Sequence, residues 1–223
     1  MQYTIKASEP TSNQAAGVIR SMIIDGEILD GQRINEVQLS RQLGISRTPI
    51  REGLGQLIAE QFVEIIPRRG FFTRELTSHE FSDLYDMRPL LDPEALMFGG
   101  QPTHHEIDAM EAANEVFLNA NGGIEAVNAD EAFHRTLLVR CRNTVLLGVI
   151  ENLIARTRRY ELALFRHASM KHVASDEHAK IIVALRNEDL ATAAEKLRNN
   201  LTNGKAPILD WLCARENISK EKS

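Results

Sequence analysis

Three side chains with metal-binding chemistry stand out in the second half of the chain. Asp130 and His134 lie four residues apart, so both project from the same face of a helix. His178 opens another stretch with helical spacing, residues 176–182. A carboxylate with two imidazoles suits Zn²⁺, Ni²⁺, Mn²⁺ or Fe²⁺. The chain holds seven histidines, so such a pair also arises by chance, and the residues alone leave a metal site and an ordinary polar helix face both open.

A short segment near the front of the chain has the chemistry of a nucleic-acid contact. Ser46 and Pro49 suit the start of a helix, where a hydroxyl caps backbone N–H groups and a missing N–H has no intrahelical acceptor to lose. Arg47 and Arg51 lie one turn apart, away from the apolar face of that helix. A recognition helix presents such side chains to the major groove of DNA. An arginine pair at this spacing is also common on a solvated surface.

Arginines in the second half of the chain could bind an anion. Arg88 falls in the first helical segment there, and the central segments contain Arg135, Arg156, Arg158 and Arg159. A buried guanidinium facing Asp130 and His134 would bind a carboxylate well. In an acidic domain, however, most arginines form salt bridges at the surface. Tyr85 and Tyr160 either line the same cavity or pack its walls.

Composition excludes several classes of protein. Hydrophobic residues make up 43% of the 223 residues, which argues for a sizeable core rather than long disorder. Two cysteines are too few for a disulfide framework and favour a reducing compartment. The first residues lack the apolar core of a signal peptide, and no run approaches the roughly 18 apolar residues of a membrane span. We therefore expect a cytoplasmic protein without a membrane partner.

The net charge of −5 is unevenly distributed along the chain. Residues 1–74 carry nine basic and eight acidic side chains, whereas the remainder carries 17 and 23. Three arginines and no acid lie between residues 41 and 51, and a second basic cluster follows with Arg68, Arg69 and Arg74. Phosphate binding depends on local patches rather than on the charge of the whole chain. An acidic chain is therefore compatible with DNA binding through its first third.

The elements that position these residues predict a mainly α fold in two domains. Helical spacing predicts helices over about 11–25, 36–43 and 46–60, and two β-favouring runs, 62–66 and 71–73, predict a hairpin. This is a winged helix-turn-helix domain over residues 1–75, with arginines at the tip of its wing. Residues 76–223 predict an all-α bundle of about six helices, near 77–99, 103–121, 124–141, 144–168, 171–187 and 189–216.

The motifs of the front third occur in a fixed order. They are Leu29-Asp30-Gly31-Gln32-Arg33-Ile34, Glu36, Leu39, Ser46-Arg47-Thr48-Pro49-Ile50-Arg51-Glu52, Leu54, Leu57 and Pro67-Arg68-Arg69-Gly70. Over roughly residues 10–75 they closely resemble the amino-terminal domain of the GntR family of bacterial transcription regulators. The resemblance implies contacts with operator DNA from the recognition helix and the wing, through Ser46, Arg47, Thr48, Arg51, Arg69 and Gly70.

Two features of this segment stay open. An arginine either pairs with guanine or anchors a phosphate, and the sequence does not separate these roles. Gly53 and Gly55 stand where the family generally has better helix formers. Each glycine costs about 1 kcal/mol relative to alanine. Close packing against another helix is the explanation we expect for them.

Motifs of the remainder resemble the FCD ligand-binding domain, the helical sensor of the FadR subfamily of GntR regulators. They are Arg88 to Leu96, Asp130 to His134, Asn143, and Glu177-His178 through Asp189, within a domain from residue 77 to about 216. Many FCD domains hold a divalent metal with one Asp and three His, and the metal helps bind a small carboxylate effector. The resemblance also implies effector contacts from Arg88, with Arg158 and Tyr85 as further candidates.

The metal ligands implied by this resemblance are incomplete. Asp130, His134 and His178 match three of the four positions. The fourth histidine of the family falls about 22 residues after the His178 position, where this chain has Asn200. An asparagine oxygen is a weaker ligand than imidazole, so we expect Asn200 to act as a fourth ligand or as an effector contact.

The resemblance implies a homodimeric regulator, a repressor in our interpretation, with each winged helix on one half of a palindromic operator. Effector binding in the helical domain would control operator binding. The alternative is a metal-dependent enzyme fused to a nucleic-acid-binding module, because an Asp and two His with an open coordination position can activate water. No nucleophile elbow, phosphate loop or obvious general base stands beside the ligands. A DNA binder without sequence preference would need a basic surface that this chain lacks.

Overall fold

The computed structural model describes residues 12–121, 123–167 and 175–221. The chain divides into two compact units, and the boundary between them in the sequence lies between Leu76 and Thr77. Residue 11, residue 168 and residues 171–174, which belong to the helices predicted from the sequence, lie outside the described residues. None of the described helices is long and apolar enough to cross a membrane.

The first unit is a winged helix-turn-helix. Its elements are α1 (Ser12–Ile24), α2 (Glu36–Leu43), α3 (Arg47–Ala59), β1 (Val63–Ile66) and β2 (Gly70–Thr73). The two strands are antiparallel, with Val63 opposite Thr73 and Ile66 opposite Gly70. The order of elements and their bounds agree with the sequence prediction to within two residues, and the predicted fold class is confirmed.

Local signals set the turn between α2 and α3. Asn35 caps α2, because its Oδ1 accepts hydrogen bonds from the N–H groups of Val37 and Gln38 at 3.0 and 3.1 Å. Gly44 ends α2 in the left-handed region, at φ 69°, which glycine adopts without strain. Ser46 occupies the N-cap position of α3 as predicted, but its side chain makes no capping hydrogen bond. The Ser46 side chain is instead exposed at the end of the helix.

The two glycines of α3 differ in their surroundings. Gly53 is buried against α1, and a Cβ atom there would lie 2.8 Å from the backbone N of Ala16 and 3.0 Å from the carbonyl oxygen of Ser12. Close packing therefore accounts for Gly53. Gly55 is exposed, and a Cβ there would meet nothing within 4 Å. Close packing is the wrong explanation for Gly55, and nothing in the structure explains it.

The second unit is an all-α bundle. Its described elements are α4 (Ser78–Tyr85), α5 (Arg88–Gly99), α6 (His104–Asn119), α7 (Gly123–Leu138), α8 (Thr144–His167), α9 (Ser175–Arg186), α10 (Leu190–Asn203) and α11 (Lys205–Glu221). The described residues thus form eight helices rather than the six expected. The segments 77–99 and 189–216 each divide in two. Pro89 and Pro207 lie in the first turns of α5 and α11, and neither can donate to the carbonyl four residues earlier, so each marks a helix start.

The bundle core is apolar and surrounds a few polar side chains. Its members come from α5, α6, α7, α8, α9 and α10, and they include Leu96, Ile107, Phe133, Ile154, Ile181 and Leu197. Buried polar or charged side chains in this unit include Arg88, Asp92, Asn114, His134, His178 and Asn200. Buried polar groups are costly unless they are paired or bind a ligand, so these side chains locate the candidate site.

Candidate metal and effector site

Asp130, His134 and His178 come together between α7 and α9. One ligand atom from each lies within 4.8 Å of the other two. The Nε2 atom of His134 lies 3.7 Å from Oδ2 of Asp130, and the Nε2 atom of His178 lies 3.4 Å from Oδ1 of Asp130. With metal–ligand bonds of about 2.0–2.2 Å, two atoms that bind one ion lie about 3.0–4.4 Å apart, so both distances to Asp130 match such a site. The geometry therefore fits a single metal ion.

The His178 ring is held in one orientation. It stacks on Phe133 with ring centroids 3.8 Å apart and an interplanar angle of 19°. Its Nδ1–H donates to Oδ1 of Asn114 at 3.0 Å. The proton on Nδ1 leaves the lone pair on Nε2, the nitrogen that faces Asp130. Metal-binding histidines in proteins are commonly oriented by such an acceptor.

Asn114 is a candidate site residue that the sequence interpretation missed. It lies on the buried face of α6 with Ile107, Met110 and Phe117. A polar residue at helical spacing among apolar ones is the signal that could have identified it. Its partner His178 lies 64 residues away in the chain, and no local pattern indicates that pairing.

Burial and nearby charges keep Asp130 and His134 in the protonation states that bind a cation. Burial lowers the pKa of His134 to about 3 against the opposing attraction of Asp130. Burial alone would raise the pKa of Asp130, but His134, His178 and Arg88 outweigh it and hold that pKa at about 2. At neutral pH the site thus presents a carboxylate and a neutral His134, the forms that bind metals. Among the described residues, Nδ1 of His134 is buried without a hydrogen-bond partner.

Asn200 lies on α10 and is buried. Its Nδ2 donates to Oε2 of Glu177 at 3.0 Å, and Glu177 also accepts a hydrogen bond from Asn203 at 2.7 Å. Glu177 directly precedes His178, so the structure places Asn200 beside a neighbour of the triad. Because Glu177 engages the amide nitrogen, the amide oxygen is the atom left to act as a ligand or an acceptor.

Arg88 lies buried on α5 beside the triad. Its Nη2 atom lies 2.8 Å from Oδ2 of Asp92, one turn further along the same helix. The Arg88 charge also acts on Asp130 and His134, lowering the pKa of both. Arg88 is therefore close enough to the triad to influence it, while Asp92 already balances its charge. The sequence interpretation did not identify Asp92.

Tyr85 and Glu161 form the edge of the same polar region. The hydroxyl of Tyr85, at the end of α4, lies 3.4 Å from Oε1 of Glu161 on α8. Gly204 leaves room for the phenol, because a Cβ atom at that position would lie 3.1 Å from the Tyr85 oxygen. Tyr160 is buried and donates to Oε2 of Glu80 at 3.0 Å. Tyr160, which lies on α8, therefore packs against α4.

Two further arginines, Arg158 and Arg135, are engaged by acids. Nη1 of Arg158 lies 2.8 Å from Oε1 of Glu131, and its other terminal nitrogen donates to Asn128. Arg135 pairs with Glu131 and Glu151. These contacts agree with the expectation that most arginines of this domain form salt bridges. Arg158 also acts electrostatically on Glu161, so it borders the polar region without a free guanidinium fork.

In the first unit, the predicted DNA contacts of α3 lie on an exposed surface. Ser46, Arg47, Thr48 and Arg51 are all exposed at the N-terminal end of the helix. Nε of Arg51 lies 3.2 Å from Oε1 of Glu36 at the start of α2, and the arginine side chain remains 67% exposed. The Glu36 contact orients Arg51 in the free protein.

The predicted wing contacts lie at the hairpin turn. The guanidinium of Arg69 lies over the ring of Phe72, 5.1 Å from its centroid. Gly70 has a φ of 101° and Arg68 a φ of 64°, so the turn uses the left-handed region twice. Glycine is favoured at such a φ. The turn presents both Arg68 and Arg69 to solvent.

Comparisons with known proteins match both units. Residues 11–73 match the model of the bacterial regulatory proteins of the gntR family, and residues 83–203 match the FCD domain. The Nta operon transcriptional regulator of Aminobacter aminovorans is 30% identical over 177 residues, which cover 77% of this chain and 83% of that protein. The gluconate operon transcriptional repressor of Bacillus licheniformis is 23% identical over 222 residues, or 94% and 90% of the two chains.

Solved structures show the same fold. Escherichia coli McbR/YncC superimposes with a TM-score of 0.78 at 19% identity, over 90% of this chain and 97% of that one. A GntR-type regulator from Rhodococcus superimposes with a TM-score of 0.73 at 22% identity. The chain therefore belongs to the GntR family of bacterial transcription regulators with an FCD domain, and it is a regulator rather than a metal-dependent enzyme.

Proposed function

We propose that the protein is a homodimeric repressor whose operator binding is controlled by a small carboxylate, bound through a divalent metal ion in the helical domain. The observation that carries this proposal is the triad of half-buried Asp130 with buried His134 and His178 beside Arg88. Such a set of donors stabilises a cation, and a cation next to an arginine attracts a carboxylate.

The triad and its neighbours have different proposed contacts, some with the metal and some with the effector. Asp130, His134 and His178 would hold the metal, with the Asn200 oxygen as the candidate fourth ligand. When bound, Zn²⁺, Ni²⁺, Mn²⁺ or Fe²⁺ supplies a Lewis acid for a carboxylate oxygen of the effector. Arg88 orients the effector from α5, with Tyr85 and Arg158 at the edge of the site.

The first unit provides the contacts with DNA. Ser46, Arg47, Thr48 and Arg51 would enter the major groove, and Arg69 and Gly70 would contact the backbone or the minor groove. A homodimer with two such units fits a palindromic operator, because a two-fold axis relates both the subunits and the half-sites. A bacterial operator lies in the cytoplasm, where we place the protein. Relatives named as operon repressors support repression as the direction of control.

Metal content tests the proposed site. Wild-type protein, purified without a chelator and freed of its tag, should contain about one equivalent of divalent metal per chain by mass spectrometry. His178→Ala should lose it. His79→Ala is the matched control, because His79 is an exposed histidine on α4 that pairs with Asp83 at 3.6 Å. Protein with no metal before or after dialysis against Zn²⁺ would refute the site.

The DNA contacts need a separate experiment. Operator sequences selected from a random duplex library should bind the wild-type protein, and Arg47→Ala should weaken that binding. Arg142→Ala, an exposed arginine of the helical unit, removes the same charge and serves as control. The variant Arg51→Ala separates the two possible roles of Arg51. If Arg51 contacts a phosphate, its loss reduces the slope of log K against log salt by about 0.9. If it contacts a base, its loss changes the selected sequence instead. Equal affinity for selected and random duplexes would contradict a specific operator.

A further inference from the structure

Glu161 has a carboxylic acid side chain in the region where we propose that a carboxylate effector binds. It lies on α8, and its charge acts on Asp130 and is opposed by Arg88, which places it in the polar region of the triad. Neither the metal triad nor the arginine needs it: the triad takes its carboxylate from Asp130, and Arg88 pairs with Asp92 at 2.8 Å. Glu161 therefore has a role that the proposed metal and carboxylate contacts do not explain.

The hydrogen bonding of Glu161 is weak in the free protein. The hydroxyl of Tyr85 lies 3.4 Å from its Oε1 atom, whereas a normal O–H···O hydrogen bond is about 2.7–2.8 Å long. Burial, reinforced by the charge of Asp130, raises the pKa of Glu161 to about 7. The carboxylate form is thus poorly stabilised, and a donor from a bound molecule would stabilise it.

We propose that Glu161, together with Tyr85, accepts a hydrogen bond from a hydroxyl group of the effector, which is therefore a hydroxy acid rather than a plain carboxylic acid. This inference rests on the proposed effector site and names the chemical class that it selects. The carboxylate of the hydroxy acid faces the metal and Arg88, and its hydroxyl group faces Glu161. One molecule then contacts α5, α7 and α8.

A hydroxyl group fits this position better than an ammonium group. The formal charges of Arg88, Asp92, Asp130, Glu161 and a divalent metal cancel, so hydrogen bonding rather than net charge separates the two groups. A hydroxyl group can donate to Glu161 and accept from the Tyr85 hydroxyl at the same time, whereas an ammonium group only donates and leaves the phenol proton to compete for Glu161. The position of Tyr85 against Gly204 and beside Phe81, at 4.6 Å between ring centroids, fixes the phenol next to Glu161. The phenol oxygen can accept or donate a second hydrogen bond to the same hydroxyl.

Matched acids test this inference on full-length, zinc-loaded protein. Isothermal titration compares three pairs that differ in hydroxylation: succinate with malate, glutarate with 2-hydroxyglutarate, and hexanoate with gluconate. Aspartate and glutamate probe an ammonium group in place of the hydroxyl. A hydrogen bond to a charged acceptor corresponds to about a tenfold to hundredfold difference in affinity. In at least one pair, the hydroxy acid should bind more tightly by this factor.

Three variants assign the preference to Glu161. Glu161→Met removes the acceptor, so the hydroxy acid should bind no more tightly than its plain partner, while zinc stays bound. Glu161→Gln keeps an acceptor oxygen and should restore part of the preference. Glu151→Met is the control, because Glu151 lies on the same helix and pairs with Arg135 at the surface. Its acid preference should equal that of the wild type.

The outcomes separate this inference from the proposed function. Equal binding of plain and hydroxylated acids, tighter binding of the amino acids, or an unchanged preference in Glu161→Met overturns the hydroxy-acid inference and leaves the carboxylate effector intact. Binding of no acid to zinc-loaded protein overturns both. Loss of zinc from Glu161→Met overturns the inference as well, because Glu161 would then belong to the metal site.

Discussion

His178 donates its Nδ1–H to Oδ1 of Asn114 over 3.0 Å, while its Nε2 lies 3.4 Å from Asp130. Asn114 belongs to α6, and the three candidate ligands belong to α7 and α9. A third helix thus fixes the tautomer and orientation of a ligand that it does not itself supply. Loss of such an orienting group typically weakens metal binding by about 10–100-fold.

We therefore predict that Asn114→Leu, which has a similar size and no acceptor, binds Zn²⁺ about 10–100-fold more weakly than the wild type. Competition with a chromophoric chelator measures the affinity, and circular dichroism checks that the variant is folded. The control is Asn119→Leu, since Asn119 is exposed on the same helix. An unchanged zinc affinity in a folded Asn114→Leu protein would show that the His178 ring needs no support from Asn114.

A second prediction concerns the ion pair of Arg88 and Asp92, whose side chains are 7% and 1% exposed. Arg88→Met leaves a buried carboxylate without its partner and should lower the free energy of unfolding by about 3–5 kcal/mol. Burial already raises the pKa of Asp92 despite the nearby arginine. The double variant Arg88→Met/Asp92→Leu should recover most of the loss, because it removes both charges.

Urea denaturation followed by fluorescence measures this effect. The single tryptophan, Trp211, lies on α11 in the helical unit and reports on that unit. Arg140→Met is the control, because Arg140 forms an exposed pair with Glu106 and should cost less than about 1 kcal/mol. If the double variant is as unstable as Arg88→Met, the loss arises from packing rather than from an unpaired charge. This result also bears on effector binding, since a destabilised Arg88 variant is a poor test of that role.

Local features of the sequence predict the fold well. The cap Asn35 and the left-handed Gly44 bound α2 at the residues that helical spacing indicates. The division of the expected six helices into eight was missed, although Pro89 and Pro207 mark both breaks. The site is less predictable. Asp130 and His134 share a helix and follow from their spacing, and the same spacing relates Arg88 and Asp92. Asn114 and Glu161 contact residues of other helices, and helical spacing does not encode those pairings.

The pKa of Glu161 leads to a third prediction, on metal-free protein. Its folded-state pKa is about 7, above the ordinary value of 4.5. For an acid shifted upward, ionisation destabilises the folded state, so its contribution to stability falls as the pH rises from about 4.5 to about 7 and stays low above that. Glu161→Gln removes this titration. The variant should gain stability over the wild type as the pH increases, by at most about 3 kcal/mol at pH 8 relative to pH 4.5.

Thermal or urea unfolding at both pH values, in the presence of a chelator, measures this difference. Glu151→Gln serves as control, because it removes a carboxylate from the surface of the same helix, where Glu151 pairs with Arg135. A Glu161→Gln difference that is the same at both pH values would mean that Glu161 ionises normally in the folded protein.

The last prediction contrasts the two glycines of the recognition helix. At Gly53, a Cβ atom would lie 2.8 Å from the backbone nitrogen of Ala16 and 3.0 Å from the carbonyl oxygen of Ser12. Backbone atoms of a packed helix cannot move aside cheaply, so Gly53→Ala should destabilise the first unit by about 1–3 kcal/mol, despite the better helix propensity of alanine. At Gly55 a Cβ meets nothing within 4 Å. Gly55→Ala should therefore stabilise α3 by about 1 kcal/mol.

Amide hydrogen exchange of α1 and α3 in the full chain measures both effects without interference from the helical unit, since protection changes about tenfold for each 1.4 kcal/mol. Protection in α1 should fall in Gly53→Ala and rise or stay constant in Gly55→Ala. Because the two substitutions are chemically identical and lie two residues apart, opposite changes can arise only from their packing. Equal changes in the two variants would mean that α1 does not approach α3 closely at Gly53.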